Sequence, residues 1–307
     1  MNENEIKEHK KNFTELREKG KNENYFILFL KLLIIILIFY FRNKNISIFH
    51  TKRTNYTKNA TNINTYVITD NTTIFDPFLN ISLLLESLQF KTYAQIYEDL
   101  ILLAFLFDVK KGFYIDVGAY NPHSDSVTKY YYDRGWNGIN IEPLDKEYNL
   151  LVIERPRDIN LKILAGDKKM KNKTFYMSGQ LSTVVDKFKQ SNTQQKVMEA
   201  DTLSNICKQY VPKGTIIQFC KIDVEGAEKE VLLGYDFKNC RPKIFCIEST
   251  RPMTMIPTHK EFDDILINNN YSFAYQYYSN RYYIDNRIPL LKKRIHLIND
   301  FLEHYRK

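Results

Sequence analysis

GFYIDVGAY, at residues 112–120, is an apolar run that ends in an Asp-x-Gly turn. The run predicts a strand over residues 113–117, and the apolar pattern of residues 96–107 before it predicts a helix. A glycine directly after a strand lets backbone amides approach a ligand, and Ser124 and Asp125 are candidates for capping the helix that follows. Only one glycine stands in this turn, whereas dinucleotide binding is typical of G-x-G-x-x-G, so the turn disfavours NAD. The stretch predicts an α/β sheet with a ligand at its carboxyl edge.

The next two predicted strands also end near acidic side chains. Residues 138–141 end at Glu142, which lies 24 residues after Gly118. A carboxylate at this place in a nucleotide-binding sheet accepts the hydrogen bonds of a ribose diol. Residues 160–164 lead to Asp167, whose carboxylate either accepts a hydrogen bond from an adenine amino group or is a solvated turn residue. These positions indicate a nucleoside-containing ligand.

A further strand is predicted over residues 215–222, and it ends in a cluster of charges. Lys221 lies inside the strand, and Asp223 and Glu225 follow its end. Two acids and a lysine at one strand terminus are costly to stability unless they are paired, so the cluster indicates a functional site more than a structural accident.

Six sequence blocks together resemble one family. They are GFYIDVGAYNPHSDSVTKYYYDRGWNGINIEP at 112–143, ERPRDINL at 154–161, LSTVV at 181–185, KIDVEGAEKEVLLGYDF at 221–237, RPKIFCIEST at 241–250 and SNRYYI at 279–284. In these blocks and their order, the chain resembles the FkbM family of S-adenosylmethionine-dependent methyltransferases. The resemblance implies a doubly wound, Rossmann-like methyltransferase sheet in an α/β domain and S-adenosylmethionine as the methyl donor.

The same resemblance assigns roles to individual residues. It implies a cofactor-binding turn at Asp116, Gly118 and Ala119, a ribose contact at Glu142, and a methyl-facing pair at Asp223 and Glu225. Members of the family look like O-methyltransferases of sugars, glycans or polyketides, so the expected partner is a sugar or glycan acceptor.

A sugar hydroxyl must lose a proton when it is methylated, and three side chains are candidates for the general base. Asp223 ranks first, Glu225 second and His123 third. His123 follows the first turn and titrates in the useful pH range, but a solvated loop histidine is an equally ordinary interpretation. Lys221 could hold Glu225 or the donor carboxylate, or it could form a structural ion pair.

The N-terminal region predicts a single transmembrane helix. Residues 25–41, YFILFLKLLIIILIFYF, are apolar apart from Lys31 and are just long enough to cross a hydrocarbon core. No small-residue cleavage site follows, so an uncleaved signal anchor is favoured over a removed signal peptide, with a buried core helix as the alternative. The predicted organisation is a polar tail at 1–24, the anchor at 25–41, a polar stem at 42–83 and the methyltransferase domain at 84–307.

The predicted stem is rich in N-x-S/T sequons. Five lie close together, at Asn45, Asn55, Asn59, Asn71 and Asn80, out of eight in the chain. This clustering indicates a glycosylated stem. Together with the anchor, it predicts a single-pass membrane protein whose C-terminal domain faces the lumen of the secretory pathway. The alternative is that an Asn-rich composition produces sequons by chance. Within fifteen residues of the anchor, Lys and Arg number five on the N-terminal side and four on the other, so they do not decide the orientation.

Composition excludes several other classes of protein. The net charge of +8 comes from 44 basic and 36 acidic residues that are interleaved along the chain, which disfavours a nucleic-acid partner. The four cysteines form no CxxC pair and have no histidine at metal-ligand spacing, so the sequence predicts buried thiols and no metal site. The alternative function is a Star-like membrane trafficking or binding protein with a methyltransferase-like domain. The ordered spacing of the predicted donor-site residues argues against it.

Overall fold

The computed structural model describes residues 84–85, 88–191 and 193–306. The predicted polar tail at 1–24, the anchor at 25–41 and the whole of the stem at 42–83 lie outside these ranges and stay predictions. Within the ranges described, no helix combines the length and the hydropathy needed to cross a bilayer.

The helices and strands of the domain lie between residues 98 and 306. The helices are α1 Glu98–Leu106, α2 Lys129–Asp133, α3 Asp145–Glu154, α4 Leu203–Tyr210, α5 Glu228–Leu233, α6 Asp263–Asn268, α7 Pro289–Arg294 and α8 Leu297–Arg306. The strands are β1 Phe113–Val117, β2 Asn137–Ile141, β3 Ile159–Leu161, β4 Leu164–Ala165, β5 Met170–Met177, β6 Gln194–Asp201, β7 Ile217–Ile222, β8 Ile244–Glu248, β9 Tyr271–Tyr277 and β10 Asn280–Asp285. Single 3-10 turns lie at Asp186–Phe188 and His259–Glu261.

The main sheet has seven strands in the order β3-β2-β1-β7-β8-β10-β9. Strands β3, β2, β1, β7 and β8 pair in parallel, whereas β10 is antiparallel to both β8 and β9. The sheet grows in one direction from β1 to β3 and in the other from β7 to β8. The carboxyl ends of β1 and β7 therefore flank a topological switch point, where open α/β sheets bind ligands. The predicted α/β fold is confirmed, with a mixed sheet.

Helices cover the main sheet on both faces, and this explains why β1 is buried along its whole length. On one face, Tyr114 packs in a cluster to which α1, α2 and α8 contribute. On the other face, Phe113, Ile115 and Val117 pack with side chains of α4, α5 and α6. Alternate residues of β1 thus belong to two different cores, and the strand has no solvent-facing side.

A second sheet of three strands, in the order β4-β6-β5, corrects the prediction of one strand over residues 160–164. That stretch divides between β3 in the main sheet and β4 in the small sheet. The division arises because Leu164 and Ala165 pair with β6, which lies thirty or more residues later in the sequence. Local sequence carries no signal for such a distant partner.

The helix predicted to begin near Ser124 and Asp125 begins at Lys129 instead. The Asn121 side chain accepts hydrogen bonds from the backbone N–H groups of His123 and Ser124, which forms a local turn. Asp125 then adopts a left-handed backbone with φ of 55°. The capping candidates are therefore part of the loop that precedes α2.

The prediction that all four cysteines are thiols was wrong for two of them. Cys207 on α4 and Cys240 before β8 form a disulfide with a Cα–Cα distance of 6.0 Å. The two residues are 33 positions apart in sequence, and only the fold brings them together. Cys220 and Cys246 are free and buried.

Candidate functional site

A pocket lies at the switch point, on the carboxyl edge of the main sheet. Four of the eight candidate site residues predicted from the sequence line it: Gly118, Glu142, Asp223 and Glu225. They come from the ends of three neighbouring strands, β1, β2 and β7. The parallel topology therefore brings together side chains that lie up to 107 positions apart in sequence.

The turn after β1 approaches the end of β7 very closely. Gly118 has a φ of +76°, and a Cβ atom placed on it would lie only 1.9 Å from the backbone oxygen of Asp223. The backbone N–H of Asp223 donates to Val117 at 3.0 Å, which fixes this approach. Both the conformation and the lack of space at this turn require glycine.

Lys221, which lines the pocket, forms a buried ion pair with Asp116. Lys221 Nζ lies 3.6 Å from Asp116 Oδ1 and 3.5 Å from Asp223 Oδ2, and it donates to the Gly118 carbonyl at 2.8 Å. Burial opposes the charged form of this lysine, but Asp223 and Asp116 outweigh burial and raise the pKa of Lys221. The ion-pair partners of Lys221 are thus Asp116 and Asp223 rather than Glu225. Its role is to hold the ends of β1 and β7 together.

Glu142 is the carboxylate at the end of β2, and it is buried. Its Oε2 accepts the backbone N–H of Tyr120 at 2.7 Å, and its Oε1 accepts that of Leu144 at 2.8 Å. Burial raises the pKa of Glu142 to about 7, although the two backbone bonds lower it. The side chain is therefore fixed in orientation at the pocket wall.

The turn between β7 and α5 is strained, and a buried acid supports it. Glu225 and Gly226 both have positive φ, at 56° and 98°. Glu228 Oε1 accepts the backbone N–H groups of Val224 and Gly226, each at 3.1 Å. This turn presents Asp223 and Glu225 to the pocket.

A third carboxylate, Glu248 at the end of β8, joins Asp223 and Glu225. One oxygen from each of the three lies within 4.8 Å of the others. Burial, followed by the charge of Asp223, raises the pKa of Glu225 to about 8 and that of Glu248 to about 11. Carboxylate oxygens at this spacing are the ligands that hard divalent cations prefer, and no other group of three acidic, His or Cys residues in the described ranges has it.

The sequence reasoning missed Glu98 and Glu248 as pocket residues. Glu98 is buried at the start of α1, lines the pocket, and accepts a hydrogen bond from Asn280 Nδ2 at 2.9 Å. For Glu248 a signal existed, because an acid directly follows the apolar run of β8 and both lie within the block RPKIFCIEST. Glu98 gave no such signal, since it begins a helix and reaches the pocket only through the packing of α1 on the sheet.

The other four sequence-predicted residues lie away from the pocket lining. Asp116 is buried within β1, and Ala119 is buried in the turn that follows it. His123 is exposed, with its Nε2 3.8 Å from Glu154, and Asp167 is exposed in the turn after β4. Their assigned roles stay predictions, and for His123 and Asp167 the placement offers no contact with the pocket.

Part of the connection between β5 and β6 forms a further wall of the pocket. Residues 179–184 line it. Gln180 Nε2 donates to Asp125 Oδ2 at 3.1 Å, and Thr183 Oγ1 donates to the Glu225 carbonyl at 2.8 Å. This segment thus joins the loop after β1 to the turn after β7.

The buried carboxyl groups around the pocket predict that the domain loses stability as pH rises. Folding raises the pKa of five of them above the ordinary 4.5: Glu98, Glu142 and Glu228 to about 7, Glu225 to about 8 and Glu248 to about 11. Such groups bind protons more tightly when folded, so their stabilisation is complete below pH 4.5 and is lost as pH rises through the folded values. We expect the Tm of the ligand-free protein to fall from pH 5 to pH 8, measured by differential scanning fluorimetry.

Two variants test whether the titration of these buried groups causes the fall in Tm. Glu98→Gln removes one of the titrating groups, so the fall in Tm should become shallower. Burial lowers the pKa of His259, which opposes the trend, so His259→Gln should make the fall steeper. A Tm that rises from pH 5 to pH 8 would contradict the prediction.

Two comparisons with known proteins gave a match. Residues 116–273, just over half of the chain, match the Methyltransferase FkbM domain. Among solved structures, the chain is similar to the crystal structure of methyltransferase FkbM from Methylobacillus flagellatus KT, with 15% identity and a TM-score of 0.37. The similarity covers 57% of this chain and 44% of that one, so it spans less than half of the solved protein. No curated protein matches.

The matched region begins at Asp116 under the pocket and ends within β9, so it includes the ends of β1, β2, β7 and β8 that form the pocket. The resemblance noted in the sequence blocks is thereby confirmed, and this chain belongs to the FkbM methyltransferase family.

Proposed function

We propose that the chain is a membrane-anchored methyltransferase that takes S-adenosylmethionine as donor and methylates a hydroxyl of a sugar or glycan, with its domain in the lumen of the secretory pathway. The observation that carries the proposal is the pocket at the switch point. Glu142 lines it at the end of β2, and Asp223 and Glu225 line it after the end of β7.

The residues of the pocket fit S-adenosylmethionine. Each oxygen of Glu142 accepts one backbone hydrogen bond and keeps a further lone pair for a ribose hydroxyl. Leu164 and Phe175 line the same pocket with apolar surface of the kind that an adenine ring contacts. When bound, this donor supplies a methyl group on a positively charged sulfonium.

The chain's own contribution to methyl transfer is orientation and proton removal. Lys221 holds Asp223 through an ion pair, while the Asp223 side chain remains 35% exposed. A hydroxyl loses its proton as it accepts a methyl group, and Asp223 is the residue that takes this proton. General-base help of this kind is worth about 10² to 10⁴ in rate.

The carboxylates around the pocket suit an acceptor that carries several hydroxyl groups. Glu98 and Glu248 line the pocket together with Asp223 and Glu225, and Lys221 is the cation that accompanies them. Glu248 Oε2 is buried and has no hydrogen-bond partner among the residues that the structure describes. Neighbouring hydroxyls of a sugar can satisfy such groups, whereas an apolar acceptor would leave them unpaired.

Membrane anchoring and lumenal placement rest on the sequence. The apolar segment at 25–41 has the length of a membrane span, and five sequons follow it within residues 42–83. A glycan-modifying methyltransferase would meet its acceptor in this compartment.

Donor binding tests the proposal most directly. Titration of the full chain with S-adenosylmethionine in a calorimeter should give binding heat, and Glu142→Ala should weaken affinity about tenfold or more. The reason is that two ribose hydroxyls lose a charged acceptor, and a charge-assisted hydrogen bond is worth about 1.5 to 3 kcal/mol.

Two further variants separate binding from folding. Glu142→Gln keeps one acceptor oxygen and should bind with intermediate affinity, and replacement of the exposed Glu154 by Ala should bind like the parent. Thermal unfolding of each variant shows whether the fold survives the loss of the bonds to Tyr120 and Leu144. Unchanged affinity in folded Glu142→Ala would remove Glu142 from the donor site. No heat with the parent chain would favour the Star-like binding function.

A further inference from the structure

Two of the eight sequons lie in the part of the chain that the structure describes, on the surface of the folded domain. They are Asn172-Lys-Thr174 and Asn270-Tyr-Ser272. Both asparagines are exposed. Neither residue lines the pocket.

Asn172 lies on an edge strand at an irregular position. β5 forms one edge of the small sheet, and its register against β6 shifts between Met170 and Lys173. The Lys173 side chain turns toward the domain and pairs with Glu230 at 3.0 Å, whereas Asn172 and Thr174 are both exposed. The amide and the hydroxyl of this sequon are therefore open to solvent together.

Asn270 lies in the turn between α6 and β9, where its φ is +64°. The next residue, Tyr271, pairs with Asp285 at the end of β10, and β10 is antiparallel to β8. This register puts Asn270 at the amino edge of the parallel strands. A bulky group there would lie at the opposite edge of the sheet from the pocket.

The disulfide is an independent observation on the compartment in which the domain folds. Structural disulfides form in oxidising compartments and are rare where thiols are kept reduced. Cys207 and Cys240 are paired within the folded domain. The disulfide therefore supports placement in the secretory pathway, and this support does not depend on the sequons or on the N-terminal region.

We infer that Asn172 and Asn270 are N-glycosylation sites of the folded domain. The inference rests on the lumenal placement proposed above. Each modification joins the side-chain amide nitrogen to the anomeric carbon of an oligosaccharide carried on a lipid diphosphate. The bond from that carbon to the diphosphate oxygen breaks, the lipid diphosphate leaves, and the amide nitrogen loses one proton. Such glycans would stand on the edge strand of the small sheet and at the amino edge of the main sheet, at positions that do not line the pocket.

Site-specific mass spectrometry tests the inference on the full chain made in a eukaryotic secretory cell. Enzymatic removal of N-glycans in heavy-oxygen water converts each glycosylated Asn to labelled Asp. We expect label at positions 172 and 270. Asn172→Gln and Thr174→Val should each remove the first label, and Asn270→Gln and Ser272→Ala should each remove the second. Asn268→Gln changes an exposed asparagine two positions away that is not in a sequon, and it should leave the label at 270 intact.

The outcomes separate this inference from the proposed function. If the stem sequons are labelled but Asn172 and Asn270 are not, the inference is overturned and lumenal placement stands. If only one of Asn172 and Asn270 is labelled, the assignment of the unlabelled one is overturned. If every sequon is unlabelled and Cys207 and Cys240 react as free thiols in the unfolded protein, lumenal placement fails as well. Donor binding, measured separately by calorimetry, reports on the methyltransferase function in every case.

Discussion

Replacement of Gly118 by Ala is expected to abolish measurable donor binding and to lower the free energy of unfolding by about 3 kcal/mol or more. The added methyl carbon would lie 1.9 Å from the backbone oxygen of Asp223, a separation that no relaxed structure tolerates. Relief requires the ends of β1 and β7 to move apart, which disturbs the Lys221 bond to the Gly118 carbonyl. Urea unfolding and calorimetric titration with S-adenosylmethionine measure the two effects.

Gly135→Ala is the matched control for this change. Gly135 has a similar φ of +86°, but a Cβ there would meet no described atom within 4 Å. This variant carries the conformational cost alone, so we expect a loss of about 1 kcal/mol and normal donor affinity. Equal effects of the two substitutions would mean that backbone strain, and not the contact with Asp223, makes glycine necessary at position 118.

Asp223→Asn should lower turnover by about 10² or more while donor affinity stays within a few-fold of the parent. The amide has the same shape as the carboxylate, and its oxygen can still accept from Lys221, 3.5 Å away. What it lacks is the basic charge that takes the proton from the acceptor hydroxyl. Single-turnover assays with a glycan acceptor, paired with donor titration, separate these two quantities.

Variants of the other two candidates for the general base are the comparison for Asp223→Asn. Glu225→Gln should have a milder effect, because Glu225 makes no ion pair with Lys221 and is second in rank as the base. His123→Gln should leave turnover unchanged, since His123 is exposed and outside the pocket lining. If Asp223→Asn abolishes donor binding instead, Asp223 belongs to the donor site and Glu225 becomes the better candidate for the base.

Much of the pocket was accessible from the sequence because its signals are local. Gly118, Glu142 and Asp223 each follow directly on an apolar strand, and in a parallel sheet such positions meet at one edge. Three apolar runs and the residues that follow them therefore predicted both the strands and the neighbours at the switch point.

The features that were missed depend on contacts between distant segments. Glu98 reaches the pocket through the packing of α1, and the disulfide depends on α4 lying beside the turn before β8. The stretch predicted as one strand over residues 160–164 is divided because its end pairs with β6, and the local sequence pattern does not predict that pairing. A helix start was misplaced for a local reason, since the Asn121 side chain bonds two N–H groups and forms a turn where a cap was expected.

Because β1 packs closely against β7, the pocket between their ends cannot form during synthesis until β7 has been made. Lys221 donates to Gly118 across 103 positions of sequence, so a nascent chain that ends before β7 has β1 with one neighbour missing. Contacts this distant slow folding and leave an apolar strand edge exposed to aggregation in the interval. A ribosome-bound chain should therefore acquire donor binding abruptly, after Asp223 has emerged, and a chaperone that shields β1 until then would raise the yield of active protein.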